Sequence, residues 1–186
     1  MAEHKHVCPW WIGYLLVSPL RRLGQHPKKI LATYIKPGMT VLDVGCGMGF
    51  FSLDMAGLAG DNGKVICVDL QEKMIAALMK RAVKAGLQDR IDQRICSSNS
   101  LNIDDLKEGI DFALAFAIVH EVPDAESFFK QIYSALKPNG LLLFSEPKGH
   151  VSEIKFQKSI EIAERAGFTS FDSLSIKRGR TKVLKK

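Results

Sequence analysis

From residue 39 onward, short and nearly continuous apolar runs alternate with longer stretches whose apolar residues recur every three or four positions. The short runs predict strands covered on both faces, and the longer ones predict amphipathic helices laid over them. Strands are expected at 40–44, 64–69, 91–96, 111–116, 141–145, 168–175 and 181–184, and helices at 50–59, 72–85, 125–136 and 151–166. Gly86 and Gly167 follow two of those helices where a left-handed closing residue fits, and Asp124 stands where a carboxylate can cap a third. Lys137-Pro138-Asn139-Gly140 stops that third helix and turns the chain toward the fifth strand.

Strands alternating with helices build βαβ units, so the fold class is α/β with a doubly wound, mostly parallel sheet. The last two strands, joined around Arg178-Gly179, are too close in sequence for a crossover, and an antiparallel hairpin is expected there. Before residue 39 the alternation breaks. Trp10-Trp11-Ile12 and Leu15-Leu16-Val17 carry large apolar groups, and Pro19, Pro27 and Pro37 punctuate two short helices. The expected organisation is an N-terminal helical lid over residues 1–28 and one domain over residues 29–186.

A length of 186 residues, 46% hydrophobic and 25% charged, suits one globular domain. The longest nearly uncharged apolar stretch, residues 10–17, is far short of the ~20 residues of a spanning helix. With no signal-peptide pattern behind it, a cytoplasmic protein is expected. Cys8, Cys46, Cys67 and Cys96 lack zinc-ligand spacing and read as buried, reduced thiols. The net charge of +6 owes much to the lysines and arginines of residues 177–186, and no nucleic-acid-binding module accompanies it, so nucleic acid is not an expected partner. The acids are too few and scattered to compel a metal site.

The chemistry lies in Val41-Leu42-Asp43-Val44-Gly45-Cys46-Gly47-Met48-Gly49-Phe50, a buried strand running into a glycine-rich turn that opens a helix. Such glycines permit positive φ and let backbone lie against a ligand at the C-terminal edge of a sheet. The dinucleotide fingerprint GxGxxG shares this setting, but here Gly49 comes one place early and Phe50 fills the third glycine's position. Asp69, about 20 residues past the loop, ends the second strand where a carboxylate can accept hydrogen bonds from both hydroxyls of a ribose. An adenosine-containing ligand is indicated.

Over residues 29–184 the sequence closely resembles the class I S-adenosylmethionine-dependent methyltransferases, whose first motif reads as Val41 to Gly49 and whose second ends in the acid at Asp69. Phe116-Ala117-Ile118-Val119-His120-Glu121-Val122, Leu136-Lys137-Pro138-Asn139-Gly140 and Ala166-Gly167-Phe168 agree with later landmarks of that family. The tone is closest to small-molecule enzymes similar to those of quinone biosynthesis and arsenite methylation. The resemblance implies a seven-stranded sheet of order 3-2-1-4-5-7-6 with strand seven antiparallel. It also implies S-adenosylmethionine as cofactor, S-adenosylhomocysteine as product and a small-molecule acceptor. Carried onto this chain, the cofactor set is Asp43, Gly45, Cys46, Gly47, Gly49, Asp69, Leu70, Ser97, Ser98, Asn99, Phe116 and Ala117. One departure stands out: many members place an aspartate for the adenine amino group where this chain reads Cys96-Ser97-Ser98-Asn99, leaving Ser97, Ser98 or Asn99 to accept that hydrogen bond.

His120 and Glu121 follow the fourth strand at the crevice edge and could contact substrate or act as general base, with Glu146 and His150 holding a weaker claim. Phe50 and Phe51 read as core. The N-terminal segment, as the main material left to roof the pocket, could instead pack on the domain or touch a membrane beside Arg21 and Arg22. Two rival functions share the glycine loop: a nicotinamide-dependent oxidoreductase, disfavoured by Phe50, and a non-catalytic cofactor-binding module or partner subunit.

Overall fold

A computed structural model describes residues 9–186, apart from the side chains of Pro19, Arg22 and Leu23. The expectations for Cys8 and for the Arg22 side chain therefore lie outside the described residues. Seven strands, β1 (Thr40–Val44), β2 (Lys64–Asp69), β3 (Ile91–Ile95), β4 (Ile110–Phe116), β5 (Leu136–Pro147), β6 (Thr169–Asp172) and β7 (Gly179–Lys185), form one sheet in the order β3-β2-β1-β4-β5-β7-β6. The first five run parallel, and β7 is antiparallel to both β5 and β6.

The strands alternate between two cores because successive side chains point to opposite faces. Leu42, Val44, Ile66 and Val68 join one core, beneath the helices α6 (Ala125–Ala135) and α7 (Glu153–Arg165). Val41, Val65 and Cys67 join the other, beneath α3 (Pro27–Leu31), α4 (Ser52–Ala59) and α5 (Glu72–Ala85). Two further short helices, α1 (Gly13–Leu16) and α2 (Pro19–Gly24), precede α3 after a single 3-10 turn at Trp10–Ile12. No helix among the described residues is long and apolar enough to cross a membrane.

Helix ends follow their local chemistry. Asp124 accepts the Ser127 N–H at 3.0 Å and caps α6, while Gly86 closes α5 in the left-handed conformation. Several boundaries differ from expectation for physical reasons. Helix α4 starts at Ser52 rather than residue 50 because the glycine turn extends through Phe51. Strand β5 does not begin after the Lys137–Gly140 turn but contains it as a bulge. From the Ile110–Leu136 pair to the Phe112–Leu141 pair, β4 advances two residues and β5 five, and Asn139 takes a φ of +66°. Edge strands lack a neighbour on one side. Accordingly β3 is buried only at Ile91 and beyond it alternates half-buried and exposed positions, and β6 is short and wholly exposed. Phe168, expected in β6, precedes it and packs edge-on against Tyr133.

Candidate functional site

At the C-terminal ends of β1, β2 and β4, the loops diverge around a cavity of about 670 Å³, within the size range of small-molecule and cofactor sites. The expected cofactor set, His120 and Glu121 line it, with one exception, while the weaker base candidates Glu146 and His150 do not. The glycine turn after β1 contributes Gly45, Cys46 and Gly47, the end of β2 contributes Asp69 and Leu70, and the turn after β3 contributes Ser97, Ser98 and Asn99. Phe116, Ala117, His120 and Glu121 follow β4.

The exception is Gly49, which does not reach the cavity. It takes a φ of +79°, and a Cβ there would lie 3.0 Å from Leu78 Cγ, so its bareness lets the turn close on α5. Gly47 has the opposite role. With a φ of +54° and nothing within 4 Å of the position a Cβ would take, it leaves the floor of the cavity bare. Phe50 and Phe51 are core residues, as expected, yet both also form cavity wall.

Asp69 organises the ligand-facing turn. One carboxylate oxygen accepts the Gly47 N–H at 2.9 Å and the other accepts the Gln71 N–H at 2.9 Å. Each oxygen keeps a second lone pair, enough for two ligand hydroxyls. Burial raises its pKa, and the amides of Gln71, Gly47 and Leu70 oppose that shift by stabilising the carboxylate. Asp43, only 3% exposed, lies deeper and accepts the Ser52 hydroxyl at 2.6 Å. Burial pushes its pKa up to about 7, against the Ser52 hydrogen bond; nearby Asp69 adds to the rise and Arg21 opposes it.

Two features of the site go beyond the sequence reading: a wall residue it did not place there and a pairing it did not foresee. The first is Arg21, the only arginine or lysine lining the cavity among the described residues, which comes from α2 together with Gly13, Leu16 and Val17 of the preceding turn and helix. Its guanidinium sits 4.2 Å from the centre of the Phe50 ring and donates to the Leu16 carbonyl and the Gln25 side chain. Burial lowers its pKa to about 10, partly offset by Asp43. Nothing in the sequence ties this residue to the glycine turn; only the docking of α2 does.

The second is the pairing of Glu146, by sequence only a weaker base candidate, with His120. The register Phe116–Ser145 puts Glu146 level with Ala117 on the neighbouring strand. Ala117 adopts a φ of +59°, the chain turns through a 3-10 helix at Val119–Glu121, and His120 is brought back over Glu146. The Glu146 carboxylate is 1% exposed; one oxygen accepts the Val119 N–H at 2.8 Å, and the other lies 2.5 Å from His120 Nδ1. This pairing raises the His120 pKa, burial opposes it, and Glu121, whose carboxylate is 3.8 Å from His120 Nε2, adds to the rise. An Nδ1–H donated to a carboxylate leaves Nε2 as the nitrogen that can accept a proton. The crevice rule for open sheets marks Glu146, near the end of the next strand along, as a weaker base candidate, and the structure makes it the buried partner of His120.

The turn after β3 is internally tied: Ser97 Oγ accepts the Ser100 N–H at 3.1 Å, and the Asn99 carbonyl accepts from Gln131 at 3.4 Å. Cys96 is half-buried beside it, and burial pushes its thiol up to about 11. Among the described residues no three His, Cys, Asp or Glu side chains group as a metal site requires.

The residues fit an adenosyl sulfonium ligand on their own chemistry. Asp69 offers two acceptors above a bare glycine floor, and Asp43, Asp69 and Glu121 supply acidic walls for a cation. Residues 35–175 match a family described as a methyltransferase domain. The chain is 31% identical over 145 residues to a ubiquinone biosynthesis O-methyltransferase of Bradyrhizobium diazoefficiens, covering 78% of this chain and 53% of that protein. It is 26% identical over 150 residues to a demethylmenaquinone methyltransferase of Lactobacillus johnsonii, covering 79% of this chain and 61% of that protein. The chain thus spans between half and two thirds of the length of these relatives. In fold it is similar to a crystal structure of a SAM-dependent methyltransferase from Aquifex aeolicus, with a TM-score of 0.85, 23% identity, and coverage of 96% of this chain and 98% of that one.

Proposed function

The chain belongs to the S-adenosylmethionine-dependent methyltransferase family, and on that premise we propose that it methylates a hydroxyl group of a small, largely apolar molecule. The observation that carries the choice of a hydroxyl is the buried Glu146 carboxylate on His120 Nδ1, which prepares Nε2 as a base within the cofactor cavity. An amine or thiolate acceptor is already nucleophilic and needs only alignment, whereas a hydroxyl gains from losing its proton to a positioned base. The names of the quinone-biosynthesis relatives support small acceptors.

In this reading Asp69 holds the ribose hydroxyls, the bare backbone at Gly47 admits the ligand, and the 97–99 turn flanks the adenine. Glu121 provides negative charge near the cationic end. When bound, S-adenosylmethionine supplies an electrophilic methyl group and leaves as S-adenosylhomocysteine. His120 takes the acceptor proton at Nε2, while Glu146 keeps the ring oriented and stabilises the imidazolium. Phe50, Phe51 and Phe116 exclude water from the transfer zone. The N-terminal segment, through Gly13, Leu16, Val17 and Arg21, acts as the roof.

The test is to incubate the protein with S-adenosylmethionine carrying a tritiated methyl group and matched panels of phenols, amines and thiols. Label transferred to phenols, with a rate that rises as pH passes the elevated His120 pKa, is expected. Transfer confined to amines or thiols would overturn the hydroxyl assignment.

A further inference from the structure

The roof of the cavity has an outer face, and that face is unlike the rest of the surface. Trp11 is 62% exposed, Leu15 73% and Leu20 76%, and Trp10, Tyr14 and Leu16 are also exposed. These six large side chains fall within eleven consecutive residues of the chain, a concentration a monomeric domain rarely leaves in water without a use. Their neighbours Gly13, Val17 and Arg21 line the cavity, and Leu16 borders both sides. The segment is therefore two-sided: one side closes the site and the other offers aromatic and branched groups outward.

Charge identifies what that outward face meets. Between Glu3 and Asp43 the sequence contains no aspartate or glutamate, but six lysines and arginines: Lys5, Arg21, Arg22, Lys28, Lys29 and Lys36. Lys28 and Lys29 are exposed on α3, directly after the patch. From α5, Lys73 places its ammonium 4.7 Å from the centre of the Trp10 ring. Tryptophan, tyrosine and leucine beside lysines, with no acid in the segment, match the composition of helices that lie in the headgroup region of a bilayer. A protein partner would be expected to meet such a face with acidic groups of defined geometry; a bilayer needs only apolar depth and diffuse negative charge.

We propose that residues 10–29 dock this protein on a membrane surface containing anionic lipid, with the mouth of the cavity beside the bilayer. Apolar side chains of α1 and α2 enter the headgroup boundary, and Lys28, Lys29 and Lys73 remain at the phosphate level. A cavity opening beside lipid receives an acceptor that partitions into the bilayer. That last consequence rests on the methyltransferase reading of the cavity; the docking does not.

The chain's two tryptophans are Trp10 and Trp11, so intrinsic emission reports on this surface alone. Mixed with phosphatidylcholine vesicles containing phosphatidylglycerol, the protein is expected to co-sediment and its emission to shift to the blue. Both effects should weaken with added salt and nearly vanish on phosphatidylcholine alone. The Trp11→Ala/Leu15→Ala/Leu20→Ala variant should bind these vesicles roughly 10-fold or more weakly, and Lys28→Glu/Lys29→Glu should bind about as poorly through charge alone. S-adenosylmethionine affinity in solution, measured by calorimetry, should stay unchanged in both, because none of these side chains lines the cavity. Absence of vesicle binding by the unaltered protein would overturn the proposal, as would binding insensitive to the charge reversal. A concentration-dependent dimer that the triple variant dissolves, without vesicle binding, would assign the face to a second copy instead. Loss of cofactor affinity with vesicle binding intact would count against the cavity reading, not the docking.

Discussion

Replacing Glu146 with glutamine tests the chemistry of the site with little change in its shape. The carboxylate has two functions: one oxygen accepts the Val119 N–H at 2.8 Å, and the other holds His120 Nδ1 at 2.5 Å. Glutamine can keep the first with its carbonyl but presents an NH₂ to the ring. It then donates to Nδ1, so the imidazole carries its proton on Nε2 and loses the atom that accepts one. Removing a general base costs about 10²- to 10⁴-fold in rate, and that loss is expected in kcat with the KM for S-adenosylmethionine nearly unchanged. Both hydrogen bonds to the carboxylate are exchanged for neutral ones, so stability should fall by roughly 1–3 kcal/mol.

Two assays follow, one independent of the acceptor. Nuclear magnetic resonance of isotope-labelled histidine should show His120 as the Nδ1–H tautomer titrating above 6.5 in the native protein, and below that position in Glu146→Gln. Because the folded pKa is raised, the pair's contribution to stability is complete below the unfolded value near 6.5 and is lost as pH rises through the folded value. Tritium transfer to a phenol acceptor gives kcat. Retention of kcat within about 3-fold, set against the 10²-fold minimum expected of a base, would refute the base role even if the titration shifted as described.

Other consequences are as direct. Asp69→Ala should weaken S-adenosylmethionine binding by about 1.5–3 kcal/mol, since an ionised acceptor is lost, with Asp69→Asn intermediate; calorimetry giving an unchanged affinity would remove Asp69 from the site. Gly47→Val should abolish cofactor binding in a folded protein, because the new side chain enters open cavity from a φ of +54°, and normal binding by a folded variant would displace the ligand from that floor. Asp43, with a pKa raised to about 7, binds its proton more tightly folded than unfolded, so its contribution to stability is full below the unfolded value and is lost as pH rises through about 7; thermal melts of the ligand-free protein should lose that component in Asp43→Asn. Deleting the residues before Leu23 should leave a folded chain that binds cofactor but no longer transfers methyl groups, and unaltered turnover would exclude the roof.

Much of this was readable along the chain because it is local. The period of apolar residues in β1, β2 and β4, the αL glycine after α5 and the aspartate cap on α6 each depend on a few neighbouring residues, and the sequence determined them. The turn from Gly45 to Gly49 and the acid at Asp69 were legible for the same reason: a strand entering a glycine-rich bend restricts what the backbone can do there. What depended on register or docking was not legible. Gly49 reads as a ligand contact by spacing, and only its distance to Leu78 shows that it packs a helix. Glu146 and His120 lie 26 residues apart; the pairing of β4 with β5 and the fold-back after Ala117 make them neighbours. Arg21 reaches the cavity because α2 lays it over Phe50, a contact between segments with no shared period. Sequence pattern sets which face of each element is apolar, but the side chains that converge beyond the ends of the strands are chosen by how those faces stack, and that is decided only in three dimensions.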